Sequence, residues 1–391
     1  MSSRSFDVII FGATGYTGRL VAEYFFATHG VGGPVKWALA GRNLSKLQAI
    51  RDTWADADAL PLIMADAEQP TTLRDMASAT RVMINTAGPF SLYGSDLVAA
   101  CAELGTDYVD LCGEIPWIAQ MIERHQATAR ACGARLVFSC GFDSVPFDLG
   151  VWFVQQQAMQ QFGQYAPRVR ARMRKMHGVL SGGTFASVGA VEAAAATDSA
   201  LAALLNDPFA YTPGFEGVEQ PDGQTPYVDD VAGSWVGPFI MSTINTKAVH
   251  RTNYLQGHPW GEGFQYDEML MLAAAPAKDD VPSLAGFSYN EGGHPQPGQG
   301  PSQAEIDAGF YDVVFYAELG EGRVVKASVS CDEDPGYLST SKMLAESALA
   351  LAFEVDREQT PGGCWTPAAA LNEALIARLS KNARIRFCPE Q

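Results

Sequence analysis

Short aliphatic and aromatic runs alternate with stretches of helical periodicity over residues 1–150. Phe6–Phe11 is a β-rich run, and Lys36–Arg42, Leu60–Asp66, Thr80–Gly88, Asp107–Glu114 and Ala134–Gly141 repeat the type. Between them, Arg19–Thr28, Leu44–Ala55, Thr71–Ala79, Ser95–Gly105 and Ile118–Cys132 carry helical patterning, with Gly105 as a stop. Continuous apolar strands joined by helices predict a parallel sheet covered on both faces.

The pattern changes after Gly150. Arg168–Met176 alternates with period two, as a half-exposed strand should. An alanine-rich helix follows Gly182-Gly183-Thr184 and extends toward Leu205, while Asp207–Pro238 and Ser288–Pro301 read as extended loop. Phe310–Leu319 and Arg323–Cys331, separated by Gly-Glu-Gly, predict an antiparallel hairpin. Tyr337–Arg357 carries an apolar helical face through Met343, Leu344, Ala348 and Leu351, and Thr366-Pro367 opens a last helix. Three regions are therefore expected. Residues 1–150 form a nucleotide-binding domain, 151–335 an inserted antiparallel α+β domain for substrate or dimerisation, and 336–391 helices that pack back on the first.

Composition narrows the function. Hydrophobic residues make up 47% of the chain and charged residues 18%, which suits packed cores. With 27 Lys and Arg against 44 Asp and Glu, the net charge of −17 repels phosphate backbones and excludes nucleic acid as the expected partner. The seven cysteines contain no CxxC pair and fit a reducing compartment. Apolar runs stop short of the roughly 18 residues a membrane span needs. The expectation is a cytoplasmic protein without a transmembrane segment, with peripheral lipid contact left open. The six histidines form no close pair of the metal-ligand type, so no metal site is expected.

The strongest local signal is Gly12-Ala13-Thr14-Gly15-Tyr16-Thr17-Gly18, placed between a strand and a helix. Gly12 permits the tight turn, Gly15 a close approach of backbone to a diphosphate, and Gly18 close helix packing. Free amides at a helix start meet diphosphate charge. The second strand ends in Gly41-Arg42-Asn43, where an NAD site usually carries a carboxylate. Arg42 instead suits a 2′-phosphate, helped by Asn43 and Ser45, so NADP is expected over NAD.

Other candidates fall at strand ends, where open α/β sheets bind ligands. Asp66 is placed either for the adenine edge or as a capping carboxylate. Ala87-Gly88-Pro89 lets the cofactor cross the sheet, and Tyr93 lies where the nicotinamide half should reach. Glu114 and Asp143 are candidates for proton transfer or substrate orientation, or else cap a helix or shape a turn. Cys112 and Cys140 read as packed thiols. The backbone of Ser181-Gly182-Gly183-Thr184 could hold a carbonyl or anionic substrate arm, though simple N-capping explains it as well. His177, Lys247, Tyr289 and Tyr337 are further polar candidates. The Tyr-xxx-Lys pair of short-chain reductases is missing, since Tyr165 is followed by Val169.

Taken together, these segments resemble the saccharopine-dehydrogenase-like oxidoreductases, and among them the trans-acting enoyl reductases of bacterial lipid and polyketide synthesis. The resemblance is carried by Phe6–Gly18, Leu39–Asn43, Asn85–Gly94, Tyr108–Glu114, Cys140–Gly150, Ser181–Thr184, Asp334–Leu349 and Gly362–Leu371. It implies a Rossmann domain closed by C-terminal helices, a separate domain over the cofactor, and pyridine-nucleotide binding at Gly12, Gly15, Gly18 and Arg42. Saccharopine dehydrogenases themselves recognise an amino-acid adduct through several cationic side chains, and no such set is placed here.

The reading is an NADP-dependent enzyme that reduces an enoyl thioester or a related activated alkene. One alternative is oxidation or reduction of a C–N or C–O bond in a small polar metabolite. Another is a non-catalytic protein whose partner surface responds to NADP. A homodimer through the second domain is compatible with the sequence.

Overall fold

The computed structural model describes residues 4–179, 195–275, 287–288 and 300–391. The candidates Ser181, Gly182, Gly183, Thr184 and Tyr289 lie outside the described residues.

The first domain contributes strands β1 (Phe6–Phe11), β2 (Trp37–Gly41), β3 (Leu62–Met64), β4 (Thr80–Asn85), β5 (Asp107–Asp110) and β6 (Arg135–Val137). The inserted region contributes β7 (Arg168–Val179), β8 (Tyr227–Asp229), β9 (Ser234–Pro238), β10 (Gln265–Leu272), β11 (Phe287–Ser288), β12 (Phe310–Gly320) and β13 (Arg323–Cys331). The C-terminal segment adds β14 (Gly363–Trp365) and β15 (Arg386–Glu390).

One sheet is wholly parallel, in the order β14-β6-β5-β4-β1-β2-β3. Reversal of the strand order between β1 and β4 opens the crevice where doubly wound sheets take a dinucleotide. Helix Thr340–Phe353 returns to this sheet and packs on helix Tyr16–His29 and β4. It buries Met343, Leu344, Leu349 and Leu351 almost completely, each worth about 1.5–3 kcal/mol.

The second sheet runs β15-β13-β12-β7-β10-β9-β8, with β11 beside the end of β7. It is mixed rather than purely antiparallel, because β10 and β11 both pair parallel to β7. A parallel neighbour requires a long crossover, and the stretch between β7 and β10 supplies it through helices Ser199–Asn206 and Ser242–Leu255. The β12–β13 hairpin forms as its turn chemistry predicts. The C-terminal segment divides between the sheets: β14 extends the first, whereas β15 pairs with β13 in the second.

Two readings are corrected. The arginine face of β7 is not half-exposed. Arg172 is fully buried and pairs with Asp229 and Asp267, both at 2.7 Å, so the segment carrying β8 covers that face. The span 207–238 is not wholly loop, since it contains β8 and β9. Between the domains, helix Val145–Phe162 packs against β12, and a Cβ on Gly150 would lie 2.2 Å from the Phe315 ring.

Candidate functional site

The glycine turn is shaped by close contact. Gly12 adopts φ +84°, and a Cβ there would sit 2.7 Å from Thr86 Oγ1. A Cβ on Gly18 would sit 2.3 Å from the Gly12 carbonyl. Gly15 differs: its hypothetical Cβ meets only the Gly12 carbonyl at 3.3 Å, so its outer face is open. The amides of Gly12 and Ala13 donate to Ala40 O, while those of Thr14, Tyr16 and Thr17 have no acceptor among the described residues. No side chain caps the helix that begins at Tyr16. An open glycine face beside free amides at a helix start fits a diphosphate.

The Tyr16 side chain turns away from this cradle. Its hydroxyl donates to Pro301 O at 3.0 Å, and its ring meets Tyr337 edge-on at 5.2 Å between centroids. The Tyr16 amide therefore stays without an acceptor among the described residues, while the side chain fastens the turn to the segment around Pro301.

At the end of β2, Arg42 is exposed and makes no ion pair among the described residues. Asn43 Oδ1 accepts from the Lys46 amide at 3.0 Å and caps helix Leu44–Arg51, which leaves only its amide nitrogen for a phosphate. Asp66 Oδ1 accepts from the Glu68 amide at 3.1 Å, so that oxygen shapes the turn after β3.

Three loops meet at the carboxyl ends of β4, β5 and β6. Glu114 is buried, and its two oxygens accept from the amides of Phe90 at 2.7 Å and Ser91 at 3.0 Å. It thereby anchors the short helix Phe90–Tyr93 that follows Ala87, Gly88 and Pro89 and carries half-buried Tyr93. Asp143 faces Gly113, where a Cβ would lie 3.4 Å from its Oδ2 and 3.2 Å from Ile244 Cδ1. Its carboxylate makes no ion pair among the described residues, and burial pushes it up to about 6. Cys112 and Cys140 are buried free thiols, and burial raises both, which disfavours the nucleophilic thiolate.

The sequence reading missed several residues behind these loops. Asp110, fully buried, accepts from Tyr108 Oη at 2.9 Å, the Cys112 amide at 3.1 Å and the Ser139 amide at 2.8 Å. Asn85 in turn donates to Tyr108 Oη at 3.0 Å. Lys247 is buried too, its Nζ donating to Leu205 O and Thr243 O, each at 2.8 Å. His177 stacks loosely on Phe310, 6.3 Å between ring centroids. Among the described residues no three His, Cys, Asp or Glu side chains group as metal ligands, and no helix is long and apolar enough to cross a membrane.

A dinucleotide crevice at the β1/β4 reversal, free amides behind an open glycine, and an arginine where NAD sites place a carboxylate define an NADP-dependent oxidoreductase of the Rossmann type. Comparison with known proteins agrees. Residues 8–137 match the family model for the saccharopine dehydrogenase NADP binding domain. The trans-acting enoyl reductase of Mycobacterium tuberculosis is 34% identical over 407 residues, covering 97% of this chain and 96% of that protein. Its counterpart in Mycobacterium ulcerans is 34% identical over 409 residues with the same coverage. A saccharopine dehydrogenase (L-Glu forming) from Saccharomyces cerevisiae shares the fold, with a TM-score of 0.55 at 12% identity over 98% of this chain and 99% of that one. The chain belongs to the saccharopine-dehydrogenase-like oxidoreductase family, alongside the trans-acting enoyl reductases.

Proposed function

We propose that the protein reduces the carbon–carbon double bond of an enoyl thioester with an apolar acyl chain. The observation that carries this reading is helix Ser199–Asn206. Its six consecutive apolar residues, Ala200–Leu205, include none that is buried. Lys247 ties the end of that helix to helix Ser242–Leu255, and Ile244 of the latter reaches Gly113 beside Asp143. An apolar wall thus leads away from the strand-end loops. Those loops, 85–94, 111–114 and 138–144, contain no Lys or Arg to receive a small anionic metabolite. The names of the whole-length relatives point the same way.

NADPH, when bound, supplies the hydride that adds to the β-carbon of the alkene. Thr14, Tyr16 and Thr17 would hold its diphosphate through their free amides, with Gly15, whose own amide donates to Gly12 O, allowing the close approach, and Arg42 with Asn43 would hold the 2′-phosphate. Asp143 delivers the proton to the α-carbon; a carboxyl raised to about 6 keeps part of its population protonated near neutrality. Tyr93 orients the thioester carbonyl and stabilises the enolate oxygen. Glu114 is a positioning residue, because both its oxygens are engaged in seating the helix that presents Tyr93.

The test is NADPH oxidation against enoyl thioesters of short and long acyl chain. Turnover that improves with chain length is expected. Asp143→Asn should lower kcat by about a hundredfold with NADPH affinity retained. The wild-type kcat should fall as pH rises through about 6, and the variant should lose that limb. Cofactor binding without turnover of any chain length sinks the reading.

A further inference from the structure

The ends of three central strands are joined by a closed circuit of buried hydrogen bonds that no part of the proposed chemistry uses directly. At the end of β4, Asn85 Oδ1 accepts from the Ala87 amide at 3.0 Å, and its Nδ2 donates to Tyr108 Oη at 3.0 Å. The Tyr108 hydroxyl donates to Asp110 Oδ2 at 2.9 Å. Asp110 Oδ1 then takes two amides, Cys112 in the loop after β5 and Ser139 in the loop after β6. Ser139, in the left-handed region at φ +59°, donates its hydroxyl to Cys112 O at 2.7 Å and so crosses the same gap a second time. From Cys112 the path continues to Glu114, whose amide donates to Cys112 Sγ at 3.3 Å and whose carboxylate seats Phe90 and Ser91. That returns it to the loop that began at Asn85.

Asn85, Tyr108 and Asp110 are all fully buried, and Asp110 has no cationic partner among the described residues. A buried carboxylate without a counter-charge is costly. Its location offers a reason for keeping it. One acceptor group with two oxygens can hold donors from two loops and a strand at once, which an amide or hydroxyl cannot do without leaving a group unsatisfied.

We propose that Asp110 is the positioning residue that sets Tyr93 and Asp143 in register, through the Asn85–Tyr108–Asp110–Ser139 circuit. Asp143 lies only four residues after Ser139 in the loop that leaves β6, and Tyr93 stands on the helix seated by Glu114. A displacement of about 1 Å between such groups is enough to cost a hundredfold in rate.

Asp110→Asn is the informative variant. It is close to isosteric and keeps an oxygen for the two amides, but leaves the Tyr108 hydroxyl without an acceptor. Hydrogen exchange should quicken together in peptides covering 85–94, 111–114 and 138–144, with the Gly12–Gly18 peptide unchanged. The kinetic arm rests on the enoyl thioester reading: kcat should fall at least about tenfold, while KM and NADPH affinity stay within about threefold. Asp148→Asn serves as the matched control. That buried carboxylate stands in the first turn of helix Val145–Phe162, but it accepts from Thr252 and from the Ala368 amide at the start of the last helix and seats no amide of the three loops. It should lose stability yet keep kcat. Should Asp110→Asn fail to fold, Tyr108→Phe cuts the same circuit at its middle and should show the same exchange pattern with a smaller loss of kcat. Faster exchange confined to one loop, or a kcat loss no larger than that of Asp148→Asn, overturns the proposal. If the wild type turns over no enoyl thioester, the exchange arm still decides it.

Discussion

The hydroxyl of Tyr16 donates to the carbonyl of Pro301 at 3.0 Å, joining the dinucleotide turn to a segment 285 residues away. The approach is tight: a Cβ on the neighbouring Gly300 would lie 2.4 Å from the Tyr16 ring. Tyr16→Phe should lower stability by about 1 kcal/mol, the usual net value of one hydrogen bond. Tyr16→Ala should lose about 1 kcal/mol more through the missing contact with Tyr337. Urea unfolding checks both, and equal losses in the two variants would discount the aromatic contact.

The three glycines should separate by role. Gly18→Ala forces a methyl onto the Gly12 carbonyl and should destabilise the fold by about 1–3 kcal/mol. Gly15→Ala presses only on the Gly12 carbonyl, at 3.3 Å, and should cost clearly less stability than Gly18→Ala. It should nonetheless weaken NADPH binding by about tenfold or more, because its methyl stands where the diphosphate approaches. Thermal shifts with and without NADPH distinguish them.

Arg42 should govern the choice of cofactor. Hydrogen bonds to charged groups contribute about 1.5–3 kcal/mol, so Arg42→Ala should weaken NADPH roughly ten- to hundredfold. NADH has no 2′-phosphate, and its binding should hardly move. Parallel titrations decide the matter, and a like loss for both cofactors would remove Arg42 from the phosphate site.

Stability should fall as pH rises from about 6.5 to about 8. Burial raises Asp148 to about 7 and Glu268 to about 8 in the folded chain. Acids raised above their unfolded values stabilise most while protonated, and that contribution disappears as pH climbs through the folded values. The trend continues below about 6.5, because burial also raises Asp110 to about 7 and Asp143 and Asp334 to about 6, and these acids outweigh the one proton that the unfolded chain gains at His250, which burial holds down to about 3 in the folded chain. Urea midpoints across this range should shift downward, and Glu268→Gln should flatten the slope.

Much of the first domain was legible because its strands are buried on both faces and its helices are amphipathic. The Ser242–Leu255 helix was not, and the reason is physical. Its interior face is polar: Asn245, Lys247, His250, Arg251, Thr252 and Asn253 are all buried. Their partners are Glu268, Leu205 O, Tyr211 O and Asp148, on distant elements, so no apolar periodicity marks the helix. The strands β14 and β15 were missed similarly, being short and defined only by pairing with β6 and β13.

The linear order of residues was sufficient to determine the glycine turn, its helix, the Arg42 position and the parallel domain. Each depends on neighbours within a few positions and on local backbone preference. Tertiary structure alone decided that Glu114 seats a helix rather than standing free, that Asp110 joins the ends of β5 and β6 and reaches β4 through Tyr108 and Asn85, and that Asp143 is half-buried facing Gly113. A carboxylate's role is set by what surrounds it, and those surroundings come from strands and helices up to more than a hundred residues apart.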